Sequence, residues 1–186
     1  MHPRLSILLL SGLLLTACSG VPIPEPIETP TEASEEDTDT NPTLESSMEI
    51  AYIAMGDNGA SGPLVGCGDS EILTTVTVTG NVSVKERIKM ALENLFSNKD
   101  QFLGESGLYN ALYQSTLTVD SVTIEDGTVE VEISGETMSG GECDDPRMVE
   151  QIRGTVENNI DSDRKMTVII NLNGKPLEKL QDLSGQ

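Results

Sequence analysis

The sequence is poor in the side chains on which most catalytic and metal sites depend. It has no tryptophan, 3% aromatic residues, three cysteines and a single histidine, His2, at the N-terminus. Residues 3–186 therefore have no histidine for a general base, a Ser-His-acid triad or a zinc site. The cysteines are too few for a four-thiolate zinc site, and the glycine-rich stretches lack the lysine of a phosphate-binding loop. We predict that the protein is not an enzyme and holds no cofactor.

Basic residues are also scarce. The chain has 11 lysines and arginines against 31 acids, for a formal net charge of -20, and from Met48 onward acids outnumber bases by 23 to 10. So acidic a surface repels nucleic acid and anionic lipid headgroups. We therefore expect no nucleic-acid partner.

The N-terminus has the residue order of an export signal. Arg4 precedes an apolar run from Leu5 to Leu15, which is too short to span a bilayer because a spanning helix needs about 20 apolar residues. The run ends in Leu15-Thr16-Ala17-Cys18, which resembles the lipobox of bacterial lipoproteins. The resemblance implies that residues 1–17 are a signal peptide and that Cys18 carries a diacylglycerol. Its acyl chains would hold the protein on the cell membrane, facing outside the cytoplasm. The alternative is an ordinary signal peptide with a coincidental cysteine.

Residues 18–47 are predicted to form a disordered tether behind the lipidated cysteine. From Val21 to Ser47 the chain has five prolines, eight acids and no basic residue. Such a segment buries too little apolar surface to offset its ordering entropy, and its prolines and self-repulsion extend it. We interpret it as a spacer, with a specific acidic docking tail as the alternative.

The two other cysteines, Cys67 and Cys143, are predicted to form a disulfide. They are an even pair in an exported chain, and exported compartments permit disulfides. Two buried free thiols are the alternative.

Residues 48–180 have the patterns of one α+β domain, followed by a polar tail at 181–186. Alternating apolar residues predict strands at 48–55, 71–79 and 166–172 and a hairpin at 116–134, with Asp126-Gly127 in a tight primed turn. Apolar residues at helical spacing predict two helices, one with a Ser83–Glu86 capping box and one with Asp145 as its cap. Residues 108–113 are interpreted as one or two helical turns. The order β-β-α-β-β-α-β favours a mixed sheet with two helices packed on one face.

Several of these elements together resemble a known domain. The capped helix, Gly107-Leu-Tyr, the hairpin residues 125–134 and a last strand that ends at Asn173-Gly174 are similar to the GerMN (germane) domain. The resemblance covers about residues 48–180. It implies a non-catalytic interaction module of the kind found in sporulation and germination proteins and in envelope lipoproteins.

Two glycine-rich loops, one with Cys67 and one with Cys143, are the candidate contact surface. Loops on a rigid scaffold commonly carry recognition, although a pair of loops stapled only for stability is the simpler alternative. A disulfide between them would gather the candidate contact residues Asp57, Asp69, Glu142 and Asp144. We favour a solvated, helix-capping role for the acids near Cys143 over a Ca²⁺ site, because the chain has no EF-hand spacing. No metal site is predicted.

The sequence therefore predicts a membrane-anchored lipoprotein that acts as a non-catalytic binding or assembly module. Its partners would be the membrane, through Cys18, and an envelope protein or a cell-wall polymer. One alternative is an acid-dependent hydrolase of envelope glycans, which is disfavoured because no tryptophan is present to stack on a sugar. The other is a lipoprotein that binds a cation or a small solute.

Overall fold

The computed structural model describes residues 44–180. The predicted signal peptide, Cys18, residues 18–43 of the tether and the tail at 181–186 lie outside these residues. The described elements are β1 (Glu45–Ala54), β2 (Leu64–Val65), β3 (Asp69–Thr79), α1 (Val84–Ser97), β4 (Thr116–Glu125), β5 (Thr128–Glu136), α2 (Asp144–Glu157), β6 (Thr167–Leu172) and β7 (Lys175–Pro176). Short 3₁₀ helices lie at Gly66–Gly68 and Leu177–Leu180. The predicted α+β class is confirmed, as are both helices.

The strands belong to two sheets. The first sheet has the order β1-β3-β2 with antiparallel neighbours. The second has the order β4-β5-β6-β7, in which β5 and β6 run parallel because α2 connects them. Both helices contact β1 and each other, while α1 also contacts β4 and α2 also contacts β3.

The two sheets are separate because side chains of α2 occupy the edge of β1 that faces away from β3. The amide of Ala51 donates to Thr155 Oγ1 at 3.0 Å, and Gln151 Nε2 donates to the Ala51 carbonyl at 3.1 Å. One turn further, Asn159 both accepts from the Glu49 amide and donates to the Glu49 carbonyl. Gln151 and Thr155 of α2 and Asn159, two residues beyond its end, are spaced by four residues and are almost fully buried. They satisfy backbone groups that a neighbouring strand would otherwise bond.

The primed turn predicted at Asp126-Gly127 is confirmed, and a second hairpin, which was not predicted, turns at Asn173-Gly174. Asp126 and Gly127 have φ values of 48° and 77°, and Asn173 and Gly174 have φ values of 52° and 71°. Two successive positive φ values are the mark of a primed turn, whose twist matches that of the flanking strands.

The core lies between α1, β1 and the inner face of the second sheet. The predicted Ser83–Glu86 capping box is present, and the α1 stripe of Ile88, Ala91, Leu92 and Leu95 is fully buried. β1 is buried on both faces, as predicted, from Ile50 to Ile53. None of the helices within residues 44–180 is long and apolar enough to cross a membrane.

The interpretation of residues 108–113 as helical turns is wrong. Tyr109 forms a β-bridge with Ile53, and each residue donates its amide to the carbonyl of the other, at 3.0 and 2.7 Å. The bridge lies on the same edge of β1 as the α2 side chains, two residues further along the strand than Ala51. An extended backbone at Tyr109 is incompatible with a helix, so only a turn follows, at residues 111–114.

Replacement of Thr155 by valine should lower the free energy of unfolding by about 1–3 kcal/mol, because the buried Ala51 amide loses its acceptor while the shape is kept. The matched control is Thr77→Val, at an exposed residue whose hydroxyl has no partner among residues 44–180, and it should change stability by less than about 0.5 kcal/mol. Urea unfolding of both variants measures the difference. Equal losses would contradict the role assigned to Thr155.

Candidate functional site

Two segments, residues 55–68 and 137–143, meet at one end of the first sheet, and we call them the stapled loops. Cys67 and Cys143 form the predicted disulfide, with their Cα atoms 5.8 Å apart. Because the two cysteines are 76 residues apart, the crosslink restricts the unfolded chain strongly, which corresponds to at most about 4–5 kcal/mol. A Cβ atom at Gly66 would lie 2.9 Å from Pro146 Cγ, so this backbone passes directly over the first turn of α2 and has no room for a side chain.

A partly buried arginine joins two of the predicted acids beside the disulfide. Arg147 Nε donates to Asp69 Oδ2 at 2.7 Å, and Arg147 Nη1 donates to Asp144 Oδ1 at 3.0 Å. Asp69 is 1% exposed and Asp144 is 5% exposed. Charges so deeply buried are stable only when they are paired and hydrogen-bonded. The guanidinium therefore lies between the two carboxylates and supplies their counter-charge.

The second oxygen of each carboxylate holds the backbone of a stapled loop. Asp69 Oδ1 accepts from the Gly56 amide at 2.7 Å. Asp144 Oδ2 accepts from the Gly140 amide at 2.9 Å. Arg147 thus fixes the start of the first loop and the middle of the second through one set of hydrogen bonds.

Tyr109 completes this network. Its hydroxyl donates to Asp144 Oδ2 at 3.0 Å, and its ring centroid lies 5.4 Å from the guanidinium carbon of Arg147. Burial and the hydrogen bond to Asp144 raise the pKa of Tyr109 to about 12. Burial alone would lower the pKa of Arg147, but its hydrogen bonds with Asp69 and Asp144 raise that pKa above the ordinary value. Neither group exchanges a proton near neutral pH, so the pair serves to position the loops rather than to transfer protons.

Asp57 stabilises the first loop from within. It accepts from the Ser70 hydroxyl at 2.6 Å and from the amides of Gly59 and Ser61. The hydrogen bonds from Ser70 and Ser61 hold the pKa of Asp57 below its ordinary value. The aspartate therefore shapes the turn in its ionised form.

Glu142 is the predicted acid that lies apart from the network. It is exposed on a shallow groove of about 340 Å³, which is lined by Thr137, Ser139, Gly141, Glu142, Asp145, Met148 and Leu180. The structure thus joins Asp69 and Asp144 through Arg147, places Asp57 nearby through Ser70, and leaves Glu142 at the rim.

The predicted helix-capping role of the acids after Cys143 is wrong. The N-cap of α2 is Cys143, no side chain bonds the free amides there, and both Asp144 and Asp145 are buried in the first turn. The physical reason is that α2 begins earlier than predicted, so Asp145 lies inside its first turn, while Asp144 is bound by Arg147. Within residues 44–180 no group of three or more histidine, cysteine or acidic residues is arranged to hold a metal ion.

Sequence reasoning missed Arg147 and Tyr109 as well as three exposed apolar side chains. Met55, Leu64 and Met138 are 44%, 69% and 53% exposed, and all three belong to the stapled loops. The available signal for Arg147 was its position three residues after Asp144, the spacing of a helical ion pair. Nothing in the local pattern marks these apolar side chains as exposed, because Met55 and Met138 lie in irregular segments and Leu64 lies in a strand of only two residues.

Comparison with known proteins matches the sequence to one family. The family model Germane, described as "Sporulation and spore germination", matches residues 55–178. Among solved structures, the tandem GerMN domains of the sporulation protein GerM from Bacillus subtilis are similar, with 19% identity and a TM-score of 0.42. That similarity covers 70% of this chain but only 40% of the GerM chain. No curated protein matches the sequence.

Replacement of Arg147 by methionine should destabilise the protein by about 3–5 kcal/mol, because it leaves two buried carboxylates without a counter-charge. The matched control is Arg164→Met, which breaks an exposed pair with Asp161 at 3.6 Å and should cost less than about 1 kcal/mol. Denaturant unfolding with the disulfide intact compares the two. A loss as small as that of the control would show that the network does not hold the loops.

Proposed function

Because this chain belongs to the Germane family, we propose that it is a non-catalytic binding module held on the outside of a bacterial membrane by a lipidated Cys18. The partner of the module is an envelope protein or a cell-wall polymer. Residues 18–47 form the spacer between membrane and module.

The observation that carries this proposal is that the stapled loops are held rigidly and yet expose apolar side chains to solvent. The disulfide and the Arg147 network both connect the two stapled loops, so the loops present one fixed surface. Leu64 and Met138 project from that surface into solvent. Apolar side chains on a preorganised surface favour binding, since little conformational entropy is lost when a partner covers them.

The state of the charged groups supports a binding role over catalysis. Asp69, Asp144 and Arg147 are committed to one another, and the ionised Asp57 is held by the hydroxyl of Ser70. A general acid or base needs a group that is free to exchange a proton at the working pH. The groups that the stapled loops gather are instead used to hold the loops in place.

The overall acidity of the chain supports the choice of partner class. A chain with a formal net charge of -20 is repelled by nucleic acid and by anionic headgroups. Membrane attachment therefore rests on acyl chains, and recognition rests on the domain.

Replacement of Cys18 by serine should abolish incorporation of labelled fatty acid and move the protein from the membrane fraction to the soluble extracytoplasmic fraction, because the acyl chains are its only proposed anchor. Ser19→Ala, one residue further on, is the control and should keep both the label and the membrane association. Continued fatty-acid labelling of the serine variant would contradict lipidation at this residue.

Introduction of a charge at Leu64 should weaken partner capture, because a glutamate there would need to be desolvated on binding. A photoreactive amino acid at the exposed Ser61 reports capture in intact cells, and Leu64→Glu should reduce the crosslinking yield about tenfold. The control is Met90→Glu, at a residue on α1 that is 38% exposed, and it should leave the yield unchanged. Equal yields from both variants, or no crosslinked product from the wild type, would reject the stapled loops as the contact surface.

A further inference from the structure

The second edge of β3 is open for most of its length. β3 pairs with β1 along nearly all of its residues, but β2 covers only Asp69 and Ser70. The Glu71 amide donates away from β1, to the Pro63 carbonyl at 2.9 Å. Since alternate residues of an antiparallel strand point their backbone groups to the same side, residues 73, 75 and 77 also direct theirs away from β1. Nothing within residues 44–180 bonds these outward groups.

The outer strands of both sheets, by contrast, carry devices that block pairing with another chain. α2 side chains occupy the edge of β1. β4 is interrupted by a bulge at Asp120, and β7 has only two residues, a lysine and a proline. Charges, prolines, bulges and shortness are the usual protections of a sheet edge. From Ile72 to Thr79, β3 has no charge, no proline and no bulge, and every residue except Leu73 is β-branched.

The sheet around this edge carries only negative charge. The sequence has no lysine or arginine between Arg4 and Lys85, so the first sheet has none. Glu45 pairs in register with Thr79 and Glu49 with Thr75, so these acids lie on the same face as Glu71. Within residues 44–180 none of the three acids forms an ion pair.

Glu71 lies between this acidic face and α2. Its carboxylate packs directly over Gly154 of α2, where a Cβ atom would collide with it. Burial of the Glu71 carboxyl, together with the nearby carboxylates of Glu150 and Glu157, raises its pKa above the ordinary value. These carboxylates repel one another, and a basic side chain from a partner would relieve that repulsion.

A second copy of this chain fits the edge poorly. If two β3 strands paired antiparallel about a two-fold axis, directly opposite residues would share a face. Both acidic faces would then lie on the same side of one continuous sheet, with no basic residue in either.

We propose that the open edge of β3 binds an extended segment of a partner protein that carries lysine or arginine at alternate positions. Its backbone bonds the outward groups of residues 73, 75 and 77 as an added strand. Its basic side chains lie on the face that carries Glu49 and Glu71, and the intervening side chains lie on the face of the half-buried Val76 and Val78. This edge is a second surface, and the inference holds independently of the function proposed for the stapled loops.

Binding of short fluorescent peptides to the full chain, followed by fluorescence anisotropy, tests the inference. A peptide that alternates lysine with valine should bind saturably and more weakly as salt is added, whereas one that alternates glutamate with valine should not bind. Thr77→Pro removes one outward amide but no bond to β1, and should weaken binding about tenfold.

Charge variants keep the test independent of any folding defect in the proline variant. The double variant Glu49→Gln, Glu71→Gln should weaken binding several-fold and flatten its salt dependence, while Glu130→Gln, an exposed acid on β5, should change neither. Leu64→Glu should leave peptide binding unchanged, which separates this surface from the stapled loops.

Three results would overturn the inference. The first is absence of saturable binding of the basic peptide, or equal binding of the acidic one. The second is a loss of binding with Leu64→Glu or Glu130→Gln as large as that with the edge variants. The third is a dimer in sedimentation velocity that Thr77→Pro dissociates, because the occupant of the edge would then be a second copy of the chain.

Discussion

The ion pairs of one guanidinium group hold together parts of the domain that are far apart in sequence. Arg147 lies on α2, Asp69 begins β3, and Asp144 begins α2 after a long glycine-rich segment. Both aspartates are buried and the arginine is partly buried, so separating the segments would leave at least one carboxylate unpaired in a poorly solvated place. Such pairs often contribute little net stability compared with apolar residues of the same shape, but they permit few alternative arrangements. The disulfide lies next to both acids and closes the same junction covalently.

Backbone hydrogen bonds explain where the domain is closed and where it is open. The edge of β1 is sealed because Gln151 and Thr155 of α2 and the following Asn159 present amide and hydroxyl groups at a spacing that matches the strand. The edge of β3 is left open because β2 ends after two residues. One sheet thus has a permanently satisfied side and a side that can pair with another chain. The stapled loops and the open edge are consequently distinct surfaces, one apolar and rigid and the other polar and strand-like.

Local interactions account for the parts of the fold that were predictable. The Ser83–Glu86 box and the Asp126-Gly127 turn depend on residues within a few positions of each other, and both are present. The disulfide was predictable because only two cysteines remain once Cys18 is assigned to lipid. The roles of Gln151, Thr155 and Asn159 were not predictable, because polar residues in a helix or just after its end normally face water and only the distant β1 makes these three buried. The extended backbone at Tyr109 likewise depends on Ile53, more than fifty residues earlier.

By itself the sequence determined the acidic character of the protein, its lack of histidine chemistry beyond His2, the two helices and the hairpin at residues 116–134, since all of these follow from composition or from neighbouring residues. Only the tertiary structure decided what the acids of the candidate site do. Asp69 and Asp144 read as possible ligands or caps until Arg147 is placed between them. The physical reason is that a charge can be assigned a role only when its partner and its burial are known, and both come from contacts across the whole domain.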